Sequence, residues 1–226
     1  MSRFEEIDAV LADLAPVHPN APGGVWHTEH DLYRWIAEVL PEGGRTLETG
    51  LGVSTVLFAR WSSAHTCIVP VQSEVDAVVK YCAERDIDLS HVEFIVESSV
   101  DALPRWKGEE LDLLLVDGLH GFPAAIIDWF YGSGHVRQQG FVAIDDIKLA
   151  SVSLGLLDFL RADPRWEVLT ETRKWIGLRR LSSGPLPENW IKQPFLRTPT
   201  RSDRFPAAVR PGLRAAHRWA NKVASR

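Results

Sequence analysis

Apolar residues at Phe4, Ile7, Val10, Leu11 and Leu14 recur at helical spacing and predict a short amphipathic helix over 4–14. Pro16, Pro19, Pro22, Gly23 and Gly24 then break the chain, and a second helix is predicted from about Thr28, with Leu32, Trp35, Ile36 and Val39 along one side. From there the pattern repeats. Runs rich in β-formers at 45–49, 66–71, 92–96, 111–117 and 140–145 alternate with helical segments near 54–62, 74–85, 99–105, 121–131 and 150–161. Strands that alternate with helices and are apolar on both faces, as in LDLLLVD at 111–117, predict a parallel sheet covered by helices on both sides. The alternation stops after the last helix. Segments 166–171 and 174–181 read as two strands joined by a short turn, a hairpin that must add at least one antiparallel strand. Beyond Leu181 the prolines at 185, 187, 194, 199, 206 and 211 predict an extended appendage, with a short helix from Leu213 to Val223. The chain therefore divides into an N-terminal helix and linker (1–27), an α/β body (28–181) and a C-terminal appendage (182–226).

Composition narrows the class. Hydrophobic residues make up 45% of the 226 and charged residues 24%, which excludes wholesale disorder and fibrous repeats. No apolar run approaches the ~18–20 residues needed to span a bilayer, and the opening MSRFEEIDAVLADL carries acids inside its periodicity, unlike a secretory leader. A cytoplasmic address is expected, with Cys67 and Cys82 as reduced packing residues. The net charge of −5 conceals an asymmetry: residues 182–226 hold nine Lys or Arg against two acids, which leaves −12 on the first 181. An acidic body is a poor general nucleic-acid binder, so no nucleic-acid partner is expected. The basic tail either folds back onto that body or presents a cationic face. In the second case Arg204, Arg210, Arg214, Arg218 and Arg226, interleaved with Phe205, Val209, Leu213 and Trp219, would dock on an anionic membrane surface or on another subunit of a homo-oligomer.

Open α/β sheets bind ligands beyond the carboxyl ends of their strands, so those ends are where chemistry is sought. The first reads Leu47-Glu48-Thr49-Gly50-Leu51-Gly52-Val53-Ser54-Thr55. Gly50 and Gly52 permit a tight turn with backbone open to a ligand, while Ser54 and Thr55 open the next helix, where they would cap N–H groups or bind a carboxylate. A third glycine of the dinucleotide fingerprint would fall at 55, which is Thr, and a plain strand-to-helix turn would look much the same. The fourth strand closes on Asp117-Gly118-Leu119-His120 and the fifth on Asp145-Asp146, which sets three carboxylates and an imidazole on one rim. Uncompensated like charges at that spacing point to binding or to a cation. The plainer alternative is that an Asp caps the 150–161 helix and His120 packs on its turn.

Together these motifs resemble the class I S-adenosylmethionine-dependent methyltransferases, and within them the branch of catechol- and macrocin-type O-methyltransferases, over about residues 28–181. The resemblance implies a three-layer αβα sandwich around a doubly wound, mostly parallel seven-stranded sheet with the last strand antiparallel, and S-adenosyl-L-methionine across the first four strand ends. Carried over, Glu48, Thr49, Gly50 and Gly52 would line the methionine part of the cofactor, Ser54 or Thr55 would hold its carboxylate, and Ser98 and Ser99 would lie near the adenine. The acid that usually ends the second strand and binds the ribose is displaced here, which leaves Glu74 or Gln72 for that role. Asp117 and His120 would face the methyl group and a small-molecule or sugar acceptor, with His120 as general base. Asp117, Asp145 and Asp146 would hold Mg²⁺ if the transfer is metal-assisted, and a metal-free route stands beside it. Two rivals remain: a nicotinamide-dependent oxidoreductase of Rossmann type, and a non-enzymatic interaction protein on a methyltransferase scaffold. The first lacks the Tyr-x-x-x-Lys pair of short-chain dehydrogenases, since Ala37, Arg85 and His135 stand four beyond Tyr33, Tyr81 and Tyr131.

Overall fold

The computed structural model describes residues 1–13, 18, 27–183 and 189–193. Helix α1 (Arg3–Ala12) opens with a reciprocal cap, in which the Glu5 amide donates to the Ser2 hydroxyl and the Ser2 amide donates to the Glu5 carboxylate. Its Ile7 and Val10 are buried in the core formed with α2 (His30–Val39) and α3 (Val53–Trp61), so the N-terminal helix is packed against the body. Strands β1 (Gly44–Thr49), β2 (Ser62–Ile68), β3 (Val92–Ile95), β4 (Leu111–Val116), β5 (Val136–Ile144), β6 (Trp166–Glu171) and β7 (Ile176–Arg180) form one sheet. Its order is β3-β2-β1-β4-β5-β7-β6. All neighbours pair in parallel except those of β7, which runs antiparallel to both β5 and β6.

This is the expected doubly wound sandwich, and the two-sided burial of the strands produces it. Leu113, Leu115 and Ala143 face a core built with α2, α3 and α4 (Gln72–Ala83). Their neighbours Leu114, Val116, Val142 and Ile144 face the opposite core, built with α5 (Ser99–Ala102), α6 (Ala124–Gly132), α7 (Ala150–Ser153) and α8 (Leu156–Leu160). Two helices depart from expectation. The predicted 99–105 helix shortens to α5 followed by a 3₁₀ turn at Leu103–Arg105, where Pro104 sits. The predicted 150–161 helix is two short pieces, because Gly155 adopts φ +88°, a left-handed conformation that a continuous helix cannot accommodate. The suggested helix at 213–223 and the tail arginines lie outside the described residues.

Strand order reverses between β1 and β4, and at such a switch point a crevice opens above the carboxyl ends. Gly50 lies there at φ +89°, and a Cβ on it would stand 2.2 Å from the Asp117 carbonyl oxygen. Only glycine lets the β1–α3 turn lie this close to the end of β4.

Candidate active site

Side chains alternate in direction along β1, so its polar residues divide between the two faces of the sheet. Thr46 and Glu48 lie beneath α3, where Thr55 Oγ1 donates to Glu48 Oε1 at 2.5 Å and His65 Nε2 stands 3.1 Å from the same oxygen. The Gly52 amide donates to Thr55 Oγ1 at 3.0 Å, and the Cys67 thiol donates to the Gly50 carbonyl at 3.2 Å. Thr55 is therefore engaged in holding the turn, which leaves Ser54, buried in the same helical turn, as the hydroxyl nearer to a ligand role. Glu48 Oε2 is buried without a hydrogen-bond donor among the described residues. Burial of a polar atom without a partner costs about 1–3 kcal/mol, so this oxygen fits a cationic or N–H-bearing ligand group at the turn. Glu48, His65 and Cys67 also bring ligating atoms within 4.8 Å of one another, but Glu48 Oε1, His65 Nε2 and Cys67 are already bound to each other or to the turn.

Thr49 points the other way, toward α6. There Asp128, fully buried, faces the hydroxyls of Thr49 and Ser99, and neither carboxylate oxygen has a well-formed hydrogen bond. Burial pushes its carboxyl up to about 6, and the two hydroxyls restrain the rise. Ser98 and Ser99 thus stand at the start of α5 as expected, with a buried acid behind them that no sequence motif marks. Of the two residues suggested for the ribose, Gln72 turns its amide to Asp76 at 2.8 Å. Glu74 is half-buried in the first turn of α4; burial first, then the Glu48 charge and last that of Glu74 raise the Cys67 thiol pKa.

The rim residues converge. His120 Nε2 lies 3.2 Å from Asp146 Oδ2 and 3.7 Å from Asp117 Oδ1. The Ser151 hydroxyl donates to the His120 carbonyl at 2.5 Å and ties its loop to α7. Burial lowers the imidazole pKa from its ordinary value, with the carboxylates of Asp146 and Asp145 pulling the other way, so His120 is neutral at pH 7. Asp117 keeps 23% of its side chain open, yet burial and the adjacent Asp145 charge raise its carboxyl well above the usual carboxylate range. Neither Asp145 nor Asp146 caps a helix, since the N-cap of α7 is Leu149, with no side-chain cap bond.

A group absent from every motif completes the rim. Lys174, in the β6–β7 turn, places its ammonium 2.7 Å from Asp145 Oδ2 and 3.4 Å from Thr28 Oγ1. Burial works to lower its pKa, but the bond to Asp145 and the charges of Asp145, Asp146 and Asp117 outweigh this and raise it. Lys148 Nζ stands 3.2 Å from Asp146 Oδ1. Tyr33 of α2 is also buried near Asp117, Glu48 and Asp145; burial, then those charges, raises its phenol pKa well above the ordinary value. The three carboxylates suggested for Mg²⁺ are not gathered around one point, and Asp145 Oδ1 and Asp146 Oδ1 are buried without a hydrogen bond among the described residues. Asp145 and Asp146 are already paired with lysines, and the three do not offer oxygens within 4.8 Å of one another.

Residues 47–147 match the family model described as a methyltransferase domain. No curated protein matches the chain. Among solved structures it is similar to a putative O-methyltransferase from Klebsiella pneumoniae, with 14% identity and a TM-score of 0.62 over 78% of this chain and 90% of that one. It is also similar to the O-methyltransferase TomG from Streptomyces achromogenes, solved in complex with S-adenosylmethionine, with 16% identity and a TM-score of 0.61 over 80% and 91%. An rRNA methylase from Streptococcus thermophilus aligns at 15% identity and a TM-score of 0.54 over 70% and 100%. The resemblance carried by the strand-end motifs holds: residues 47–147 match a methyltransferase-domain model, and the chain shares its fold with these methyltransferases.

Proposed function

From a methyltransferase domain on the class I fold, we propose an S-adenosylmethionine-dependent O-methyltransferase that acts on a hydroxyl of a small molecule or sugar, with His120 as general base and no metal in the transfer. The observation that carries this is the His120 imidazole set between Asp146 and Asp117 at the mouth of the β1–β4 crevice, with burial lowering its pKa. S-Adenosylmethionine supplies an electrophilic methyl group. Glu48, Gly50, Gly52 and Ser54 would hold its amino-acid end, Glu74 the ribose, and Ser98 and Ser99 the adenine side. The chain must then place an acceptor oxygen in line and take its proton. His120 Nε2 faces Asp146, so the proton of the neutral ring belongs on Nε2 and Nδ1 is left with the lone pair that accepts the hydroxyl proton. Asp117, whose carboxyl burial and the Asp145 charge raise well above the usual range, would orient the acceptor by hydrogen bonding. Lys174 holds Asp145 and keeps the acids from repelling one another.

Two observations support a small acceptor. Leu119, Phe122 and Leu154, on the loops beside His120, are strongly exposed and offer apolar contact. The lysines there, Lys148 and Lys174, are paired with Asp146 and Asp145 and so are poorly placed to meet phosphates. The named O-methyltransferases of the same fold point in the same direction. The test is calorimetry with S-adenosylmethionine, S-adenosylhomocysteine and NADH, with thermal shifts in parallel. A ligand at about 100 times its Kd stabilises by about 2.7 kcal/mol. Binding of NADH alone would overturn the reading. Screening hydroxylated small molecules and an rRNA fragment for methyl transfer, with and without excess EDTA, tests the rest: transfer to RNA alone, or activity lost to EDTA and restored by Mg²⁺, would refute the acceptor class or the metal-free route.

A further inference from the structure

We infer that His65, on β2 and away from the rim, is a positioning residue that fixes the cofactor turn through a buried hydrogen-bond relay. This rests on the cofactor reading above. The relay starts at Ser62 Oγ, 2.9 Å from Thr46 Oγ1, which in turn lies 2.8 Å from His65 Nδ1. It continues from His65 Nε2 to Glu48 Oε1, where Thr55 Oγ1 also donates, and ends at the Gly52 amide on Thr55. His65, Thr46, Glu48 and Thr55 are all at most 1% exposed, and the Phe58 ring of α3 lies over the imidazole with centroids 4.9 Å apart. A carboxylate accepts only, so the Nε2 proton points at Glu48, while Nδ1 shares a hydrogen bond with Thr46, which also meets Ser62. Only Ser62, at 9% exposed, reaches toward water; the rest of the relay is closed to it. The orientation of Glu48, and with it Thr55 and the Gly52 amide, is thereby tied to a histidine on the neighbouring strand. Hydrogen bonds of this kind gain strength in a low dielectric and are costly to leave unmade.

The test compares H65L, H65Q and wild type by calorimetry with S-adenosylhomocysteine and by steady-state kinetics once an acceptor is in hand. H65L should weaken S-adenosylhomocysteine binding about tenfold, or 1.4 kcal/mol, and raise KM for S-adenosylmethionine with little change in kcat. H65Q, whose amide nitrogen can donate to Glu48, should recover most of that loss. Wild-type affinity in H65L overturns the inference, as does a kcat loss with KM unchanged or an H65Q variant as weak as H65L. If H65L does not fold, T46V reads the same relay, since it keeps the volume and removes the partner of Nδ1; unchanged affinity there is equally fatal. Absence of binding to the wild type would instead refute the proposed function and is distinguishable from all of these.

Discussion

Replacing Asp128 with Asn should stabilise the protein at neutral pH and change little in acid. The carboxyl is fully buried under the sheet, and burial raises its pKa from 3.8 to about 6. Each unit corresponds to 1.36 kcal/mol, so ionised Asp128 costs the fold about 3 kcal/mol at pH 7. The sign follows from proton counting. Between 3.8 and about 6 the folded state binds the extra proton, so its stability falls as pH rises through that window and is level on either side. Asn keeps the shape, never ionises, and offers an amide to the Ser99 and Thr49 hydroxyls. Urea unfolding of both proteins at pH 3.5 and 7.5 measures the effect, provided the m-values agree. The expected gain is about 2–3 kcal/mol at pH 7.5 and near zero at pH 3.5. A variant less stable than wild type at pH 7.5, or a difference independent of pH, would refute the reasoning and mean that the carboxylate is satisfied as an ion.

Three further outcomes follow from the rim and the turn. H120A should lower kcat by about 10²–10⁴ with S-adenosylhomocysteine affinity intact; wild-type activity should be level above neutrality and fall only below the ordinary histidine pKa, because burial keeps the imidazole neutral further into acid. G50A should abolish S-adenosylhomocysteine binding by calorimetry, since the added Cβ meets the Asp117 carbonyl and the residue must hold a positive φ. K174M should destabilise by about 3–5 kcal/mol in thermal or urea unfolding by leaving Asp145 buried and unpaired, and the K174M/D145N double variant should recover most of this.

The alternation of two-sided apolar strands with helices is a local property, and it determines the layer architecture without any knowledge of contacts. Leu113, Leu114 and Leu115, buried in succession, are the mark of a strand covered on both faces once length and flanking helices are weighed. The rule that ligands gather at carboxyl ends then makes Gly50, Asp117, His120 and Asp146 readable as one site, because each closes a strand or stands just past one. Even the break between α7 and α8 had a local signal, Gly155 inside an apolar run. What only the tertiary structure decided are the partners that arrive from elsewhere in the chain. Lys174 meets Asp145, 29 residues earlier, because β7 inserts between β5 and β6 and turns the hairpin back over the rim. His65 meets Glu48 because β1 and β2 are neighbours in a register that pairs Thr46 with His65. Asp128 lies under Thr49 because α6 packs on the face opposite α3. Whether a carboxylate is free to bind a cation, is paired with a lysine or is held protonated depends on charges and burial within a few ångströms. Strand order and helix side set those distances, and spacing along the chain does not.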